Sequence, residues 1–162
     1  MSLHEDYHFY ADEIGFAEIA TSSFDNNVWL IDQRDFSLKK YNIDSKRITS
    51  TTPLDLLLSN QSHQLLYCLE YQNRLFISTK DAGILIFDTL GNYLKTYPVS
   101  NAVHFDFWQD EIYYLDGDLL MRRNLYSDAV VARTLPHGNW KFAIINHDLL
   151  YLFTDKNIFL YK

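Results

Sequence analysis

An all-β fold assembled from four repeats of a short-stranded unit is what the sequence predicts, and three observations predict it. The segments FDNNVWLID from Phe24, YQNRLFIST from Tyr71, WQDEIYYLD from Trp108 and INHDLLYLF from Ile145 align position by position, at intervals of 47, 37 and 37 residues. Each opens on a large apolar residue, continues through three mostly polar residues and ends in an apolar run. The runs LFIS, IYYL and LLYLF are almost continuously apolar, the pattern of strands covered on both faces rather than one. No sustained helical periodicity competes; TTPLDLLLSNQ is the one candidate for a short helix or turn, with Thr51 or Thr52 as cap and Pro53 early in it.

Each repeat reads as a hairpin. A short strand ends on the large apolar residue, a turn rich in Asn, Asp and Gln follows, and a second strand begins; Asn and Asp suit such turns because they bond locally and tolerate left-handed backbone. A third strand comes next: FSLKKYN at Phe36, GILIFD at Gly83, DLLMRRN at Asp118 and NIFLYK at Asn157. A more polar fourth strand completes three units: KRITST near Lys46, YLKTYP near Tyr93 and VVARTLP near Val130. Four antiparallel strands every 37 to 47 residues are the signature of a propeller blade. The blades span about residues 14–51, 65–98, 102–136 and 140–162. The last unit lacks a fourth strand, and YHFY at residues 7–10 is a candidate to supply it and close a four-bladed ring. The other reading is the C-terminal part of a larger propeller, with two raw blade faces through which copies pair as a homodimer.

The repeats resemble β-propeller proteins of the NHL or two-component-regulator-propeller type. The likeness rests on N-x-L-x-I at Asn73 and G-I-L-I-F-D-x-x-G at Gly83, with weaker copies from about Phe16 to Lys162. It implies blades rather than a function. It also implies a bacterial periplasmic or secreted protein whose signal has been removed; a cytoplasmic protein is the alternative. Such families have six to eight blades where this chain has four.

Composition narrows the partners. At 162 residues the chain is one domain, with 48% hydrophobic and 16% aromatic residues, twelve of them Tyr. A net charge of −7 with scattered cations argues against nucleic acid, which requires a basic face. No apolar run reaches the roughly 18 residues of a membrane span. The single cysteine, Cys68 in LLYCLEY, reads as a small core residue.

Catalytic, cofactor and metal motifs are absent from the sequence: there is no GxSxG, HExxH, P-loop or GxGxxG, and the six His show no ligand spacing. His104 and Asp106, two apart on an inner strand, share one face. With Glu70 and Lys141 they are the candidates for a site at the channel or loop face. His147 falls in a hairpin turn, in the column of Asn26, Asn73 and Asp110. Asp81, Asp118 and Asp155, 37 apart, read as blade-turn residues accepting backbone N–H bonds. The column Phe24, Tyr71, Trp108 reads as packing between blades. The leading functional expectation is therefore a non-enzymatic scaffold that binds a protein or peptide. The alternatives are a ligand-sensing propeller for a carbohydrate or small peptide and, behind it, a glycosidase- or lyase-type enzyme using Asp106 and Glu70.

Overall fold

The computed structural model describes residue 10 and residues 14–32, 34–58, 64–99, 102–127 and 129–162. It is all-β. Sheet one holds β1 (Ala17–Ser22), β2 (Asn27–Asp32), β3 (Ser37–Asn42) and β4 (Arg47–Pro53). Sheet two holds β5 (Leu65–Tyr71), β6 (Arg74–Thr79), β7 (Ile84–Asp88) and β8 (Tyr93–Tyr97). Sheet three holds β9 (Phe105–Trp108), β10 (Glu111–Asp116), β11 (Leu119–Asn124) and β12 (Val130–Thr134). Sheet four has only β13 (Phe142–Asn146), β14 (Leu149–Phe153) and β15 (Ile158–Tyr161) among the described residues. Every sheet is an antiparallel meander in chain order.

The hairpin turns explain their own sequences. Gln72 and Asn73 both take positive φ, 46° and 59°, as a two-residue turn matched to strand twist requires. Asn26, Gln109 and His147 are likewise left-handed. The segment after Pro53 makes one helical turn, with the Leu58 N–H bonded to the Leu54 carbonyl at 3.2 Å. Leu54 and Leu58 from that turn plug the core between sheets one and two.

Three apolar layers lie between successive sheets. Trp29, Ile31 and Leu38 of sheet one meet Leu75, Ile77, Leu85 and Phe87 of sheet two. The other face of sheet two, with Phe76, Ile84 and Ile86, meets Phe105, Phe107, Ile112 and Tyr114 of sheet three. Tyr113 and Leu120 on the far face of sheet three meet Ala143, Leu150 and Leu152 of sheet four. Alternate residues of one strand thus serve two layers, which is why the inner runs are continuously apolar. A closed ring of four sheets needs a fourth layer between sheets four and one. The sheets do not close, so the ring expected from the sequence is an open arc among the described residues. Of its expected closing strand, residues 7–9 lie outside the described residues.

The strand register corrects the last repeat by one residue. Trp108 pairs with Glu111 across the turn of sheet three, but Asn146 pairs with Leu149 in sheet four. Leu150 therefore stands where Ile112 stands, and Tyr151 where Tyr113 stands, an offset of 38 rather than 37. A slip of one residue exchanges the two faces of a strand; Leu150 and Leu152, not Leu149, point back into the third layer. His147 moves with them and matches Gln72 and Gln109, not Asn73 and Asp110. The column Phe24, Tyr71, Trp108 also divides. Tyr71 stacks on Phe107 at 4.2 Å and Trp108 packs half-buried against the third layer, but Phe24 is 80% exposed, because the longer first turn lifts it off the sheet.

Candidate functional site

The inner ends of sheets two, three and four enclose a cleft of about 620 Å³ lined by Tyr67, His104, Leu115, Trp140, Lys141 and Phe142, among others. Tyr67 is on β5, His104 immediately precedes β9, and Lys141 immediately precedes β13. Each sheet thus contributes its innermost strand, held in place by the layers behind it. The rings form a ladder: Tyr67 stacks on His104 at 4.7 Å, His104 faces Phe142 at 5.3 Å, and Phe142 stacks on Phe153 at 4.2 Å. The Trp140 indole N–H donates to the Pro136 carbonyl at 2.8 Å. Gly138 makes that wall possible, since a Cβ there would come within 2.5 Å of the indole.

The electrostatics are mild and balanced. Burial holds the His104 imidazole below its ordinary value, partly offset by the charge of Asp106, so it is neutral near pH 7. Burial raises the Tyr67 phenol, and the Asp106 carboxylate raises it further. Asp106 itself turns toward sheet four, where it accepts the Tyr113 hydroxyl at 3.2 Å. That hydroxyl accepts the Ile145 N–H at 3.0 Å and so ties sheet three to sheet four. Burial, reinforced by Asp106, pushes the Tyr113 phenol well above its usual range. The Lys141 ammonium pairs with Asp155 at 3.5 Å.

Of the four residues expected to share a site, the structure brings His104 and Lys141 to one cleft, with Asp106 behind it. Glu70 is elsewhere. It is buried between sheets one and two, where it accepts the Trp29 indole N–H at 2.5 Å and the Phe24 N–H at 3.3 Å. Its partner Leu75 faces sheet one, while Asp106 faces sheet four. The two carboxylates thus belong to different layers, contrary to the paired arrangement a glycosidase would need. Sequence reasoning missed Tyr67, Trp140 and Phe142. Tyr67 and Phe142 lie on strands that read as core, and Trp140 stands at the very start of the last unit, outside the aligned hairpin segment.

The expected blade-turn acids lie in turns or bends; Asp118 is 3.1 Å from His137 Nδ1, and Asp155 pairs with Lys141. Cys68 is buried, and burial pushes its thiol up to about 12. Among the described residues no group of three His, Cys, Asp or Glu could hold a metal, and no helix is long and apolar enough to cross a membrane.

No sequence-family profile matches the chain, and no curated protein sequence does. Solved structures do. The chain is similar to Hsv2 of Kluyveromyces lactis with loop 6CD replaced by a Gly-Ser linker, at 12% identity and TM-score 0.72, over 92% of this chain and 50% of that one. It is similar to the extracellular domain of the one-component system BT4673 of B. thetaiotaomicron, at 15% identity and TM-score 0.66, over 91% of this chain and 20% of that one. It is also similar to streptogramin B lyase, at 14% identity and TM-score 0.62, over 90% of this chain and 54% of that one. All three are β-propeller-like, and at these identities the likeness shows the fold alone. The chain spans half of Hsv2 and a fifth of BT4673.

Proposed function

We propose that this chain is a non-enzymatic, propeller-like binding module that holds a segment of a protein or peptide partner in the cleft of Tyr67, His104, Trp140, Lys141 and Phe142. The observation that carries the proposal is the ring ladder at the inner ends of three sheets. Concave, largely apolar clefts with a few placed polar groups are where segments bind, and this one lies where the innermost strands of three sheets begin. Lys141 is already paired with Asp155 and His104 is neutral, so the cleft suits a neutral segment presenting an aromatic or aliphatic side chain. The likeness to NHL-type blades and to an extracellular bacterial domain supports the same reading and a place outside the cytoplasm.

A comparative pull-down tests it: wild-type protein should reproducibly enrich one partner that Trp140→Ala loses. Equal recovery with both, or none with either, counts against the cleft. The stacked rings also favour a second reading, a sensor for a carbohydrate or small peptide. A thermal-shift screen separates the two, because a ligand that binds only the folded state raises its midpoint. A sugar that shifts wild type and leaves Trp140→Ala unmoved would put the sensor reading first.

A further inference from the structure

The two ends of the arc present different faces. On sheet one the outward face carries Leu30, Asp32, Lys39 and Tyr41, all buried. Residues 14–16 lie over it: the Phe16 N–H donates to Asp32 at 2.9 Å, and a Cβ on Gly15 would come within 2.1 Å of the Asp32 carboxylate. That end is occupied. On sheet four, the register places Ile144, Leu149, Tyr151, Phe153, Ile158 and Leu160 on one outward face. Ile158 is 65% exposed, Leu160 57% and Ile144 36%.

This face has a counterpart in every other sheet. Tyr151 occupies the position of Trp29, Phe76 and Tyr113, each of which is at most 2% exposed because the following sheet covers it. Sheet four therefore offers a large aromatic residue, flanked by Ile144 and Leu160, at the register position that in the other three sheets is packed against another sheet. We infer that a second copy of this chain covers it, sheet four against sheet four about a two-fold axis. An isologous contact needs only one self-complementary patch, and the outward face of sheet one is already taken. Stacked sheets with interdigitating apolar faces are a stable arrangement. Charge agrees. Residues 141–162 carry three Lys and two Asp, a local +1 in a chain of −7, so the excess acidic charge of the two chains lies away from this contact.

Sedimentation equilibrium on the full chain tests the inference, using wild type, the double variant Ile158→Lys/Leu160→Lys, and Leu56→Lys as control. Leu56 is 81% exposed and lies outside sheet four. The expected result is a wild-type mass rising with concentration from 19.2 kDa toward twice that value. The double variant should weaken association by about tenfold or more, since each Lys would lie unpaired in an apolar contact, and the control should match wild type. Circular dichroism on the exposed-site variants verifies that they fold. A wild type that stays monomeric to about 1 mM, or a dimer that the double variant leaves intact, overturns the inference. It does not depend on the proposed cleft, and loss of partner binding in Trp140→Ala would leave it standing.

Discussion

Sheets two and four come from the same repeat and read alike as sequence, yet they are in different environments. The strand ILIFD of sheet two and IFLY of sheet four are equally apolar. The first is buried through its four apolar residues, whereas Ile158, Phe159 and Leu160 of the second are all exposed by 40% or more. Nothing in either strand accounts for the contrast; the neighbours do. Among the described residues, sheet two has a sheet on each side and sheet four has one, and sheet four has three strands where its counterparts carry four. In a repeat architecture stability is nearly a sum of units and the contacts between them, so a unit with one neighbour holds its shape with fewer of those contacts.

The sharpest way to break this comparison is to make one substitution at both places. Phe76 is fully buried, with its ring 4.7 Å from Phe107 and 6.1 Å from Phe105. Phe76→Ala should cost about 3–5 kcal/mol, through lost burial and the cavity left behind. Phe159 is 40% exposed and meets one ring edge-on, Trp140 at 5.4 Å, so Phe159→Ala should cost about 1 kcal/mol. Urea unfolding at low protein concentration measures both. Equal losses would mean that β15 is covered in the isolated chain, and the contrast between sheets would fall.

Glu70 sharpens the comparison from the polar side. Sheets one and two are joined by its carboxylate on the Trp29 indole, with both side chains buried. Glu70→Ala leaves that N–H buried without its acceptor, a loss of about 1–3 kcal/mol. Trp29→Phe in the Glu70→Ala background should recover part of it, because the orphaned donor is then gone. Absence of recovery would show that Glu70 acts otherwise than through the indole.

The fold was legible because its cause is local. Turn chemistry at Gln72–Asn73 and Gln109–Asp110, and runs apolar on both faces, report a covered hairpin wherever they occur. Closure was not legible, since it depends on whether sheets one and four meet, and no residue in either strand encodes that distance. The register of the last repeat was misread for a similar reason. In INHDLLYLF every position after the turn is apolar, so a shift of one leaves the pattern unchanged; only the pairing of Asn146 with Leu149 decides it. Of the site, His104 was read with Asp106 on an inner strand, and the structure places it one residue before β9, with Lys141 one residue before β13. Glu70 looked identical in sequence, yet its side chain points to the other layer, and the aromatic walls of the cleft were indistinguishable from core.

Acid titration is the finest of these comparisons, because it sets a buried ion pair in sheet one beside an exposed one in sheet four. Burial raises the Asp32 carboxyl, but the Lys39 ammonium at 2.9 Å and the N–H groups of Arg34, Phe16 and Asp35 outweigh it and bring it down to about 2 from an ordinary 3.8. Lys39 is correspondingly raised: burial lowers it, and Asp35 and Asp32 more than compensate. A carboxylate depressed in the folded state adds stability that is complete above the unfolded value and disappears as pH falls through the folded one. The contribution of Asp32 is thus present above about pH 4 and lost toward pH 2. Comparing urea midpoints at pH 5 and pH 2.5, wild type should lose more stability than Asp32→Asn, which has no carboxylate to protonate there. Equal losses would assign the acid limb to other groups; Asp25 and Asp88, both held low by hydrogen bonds that outweigh their burial, are the candidates. Asp155→Asn removes the partner of Lys141 from an exposed pair and should change stability at neutral pH by no more than about 0.5 kcal/mol. A larger loss would mean that the rim of the cleft is more enclosed than the three strands of sheet four make it.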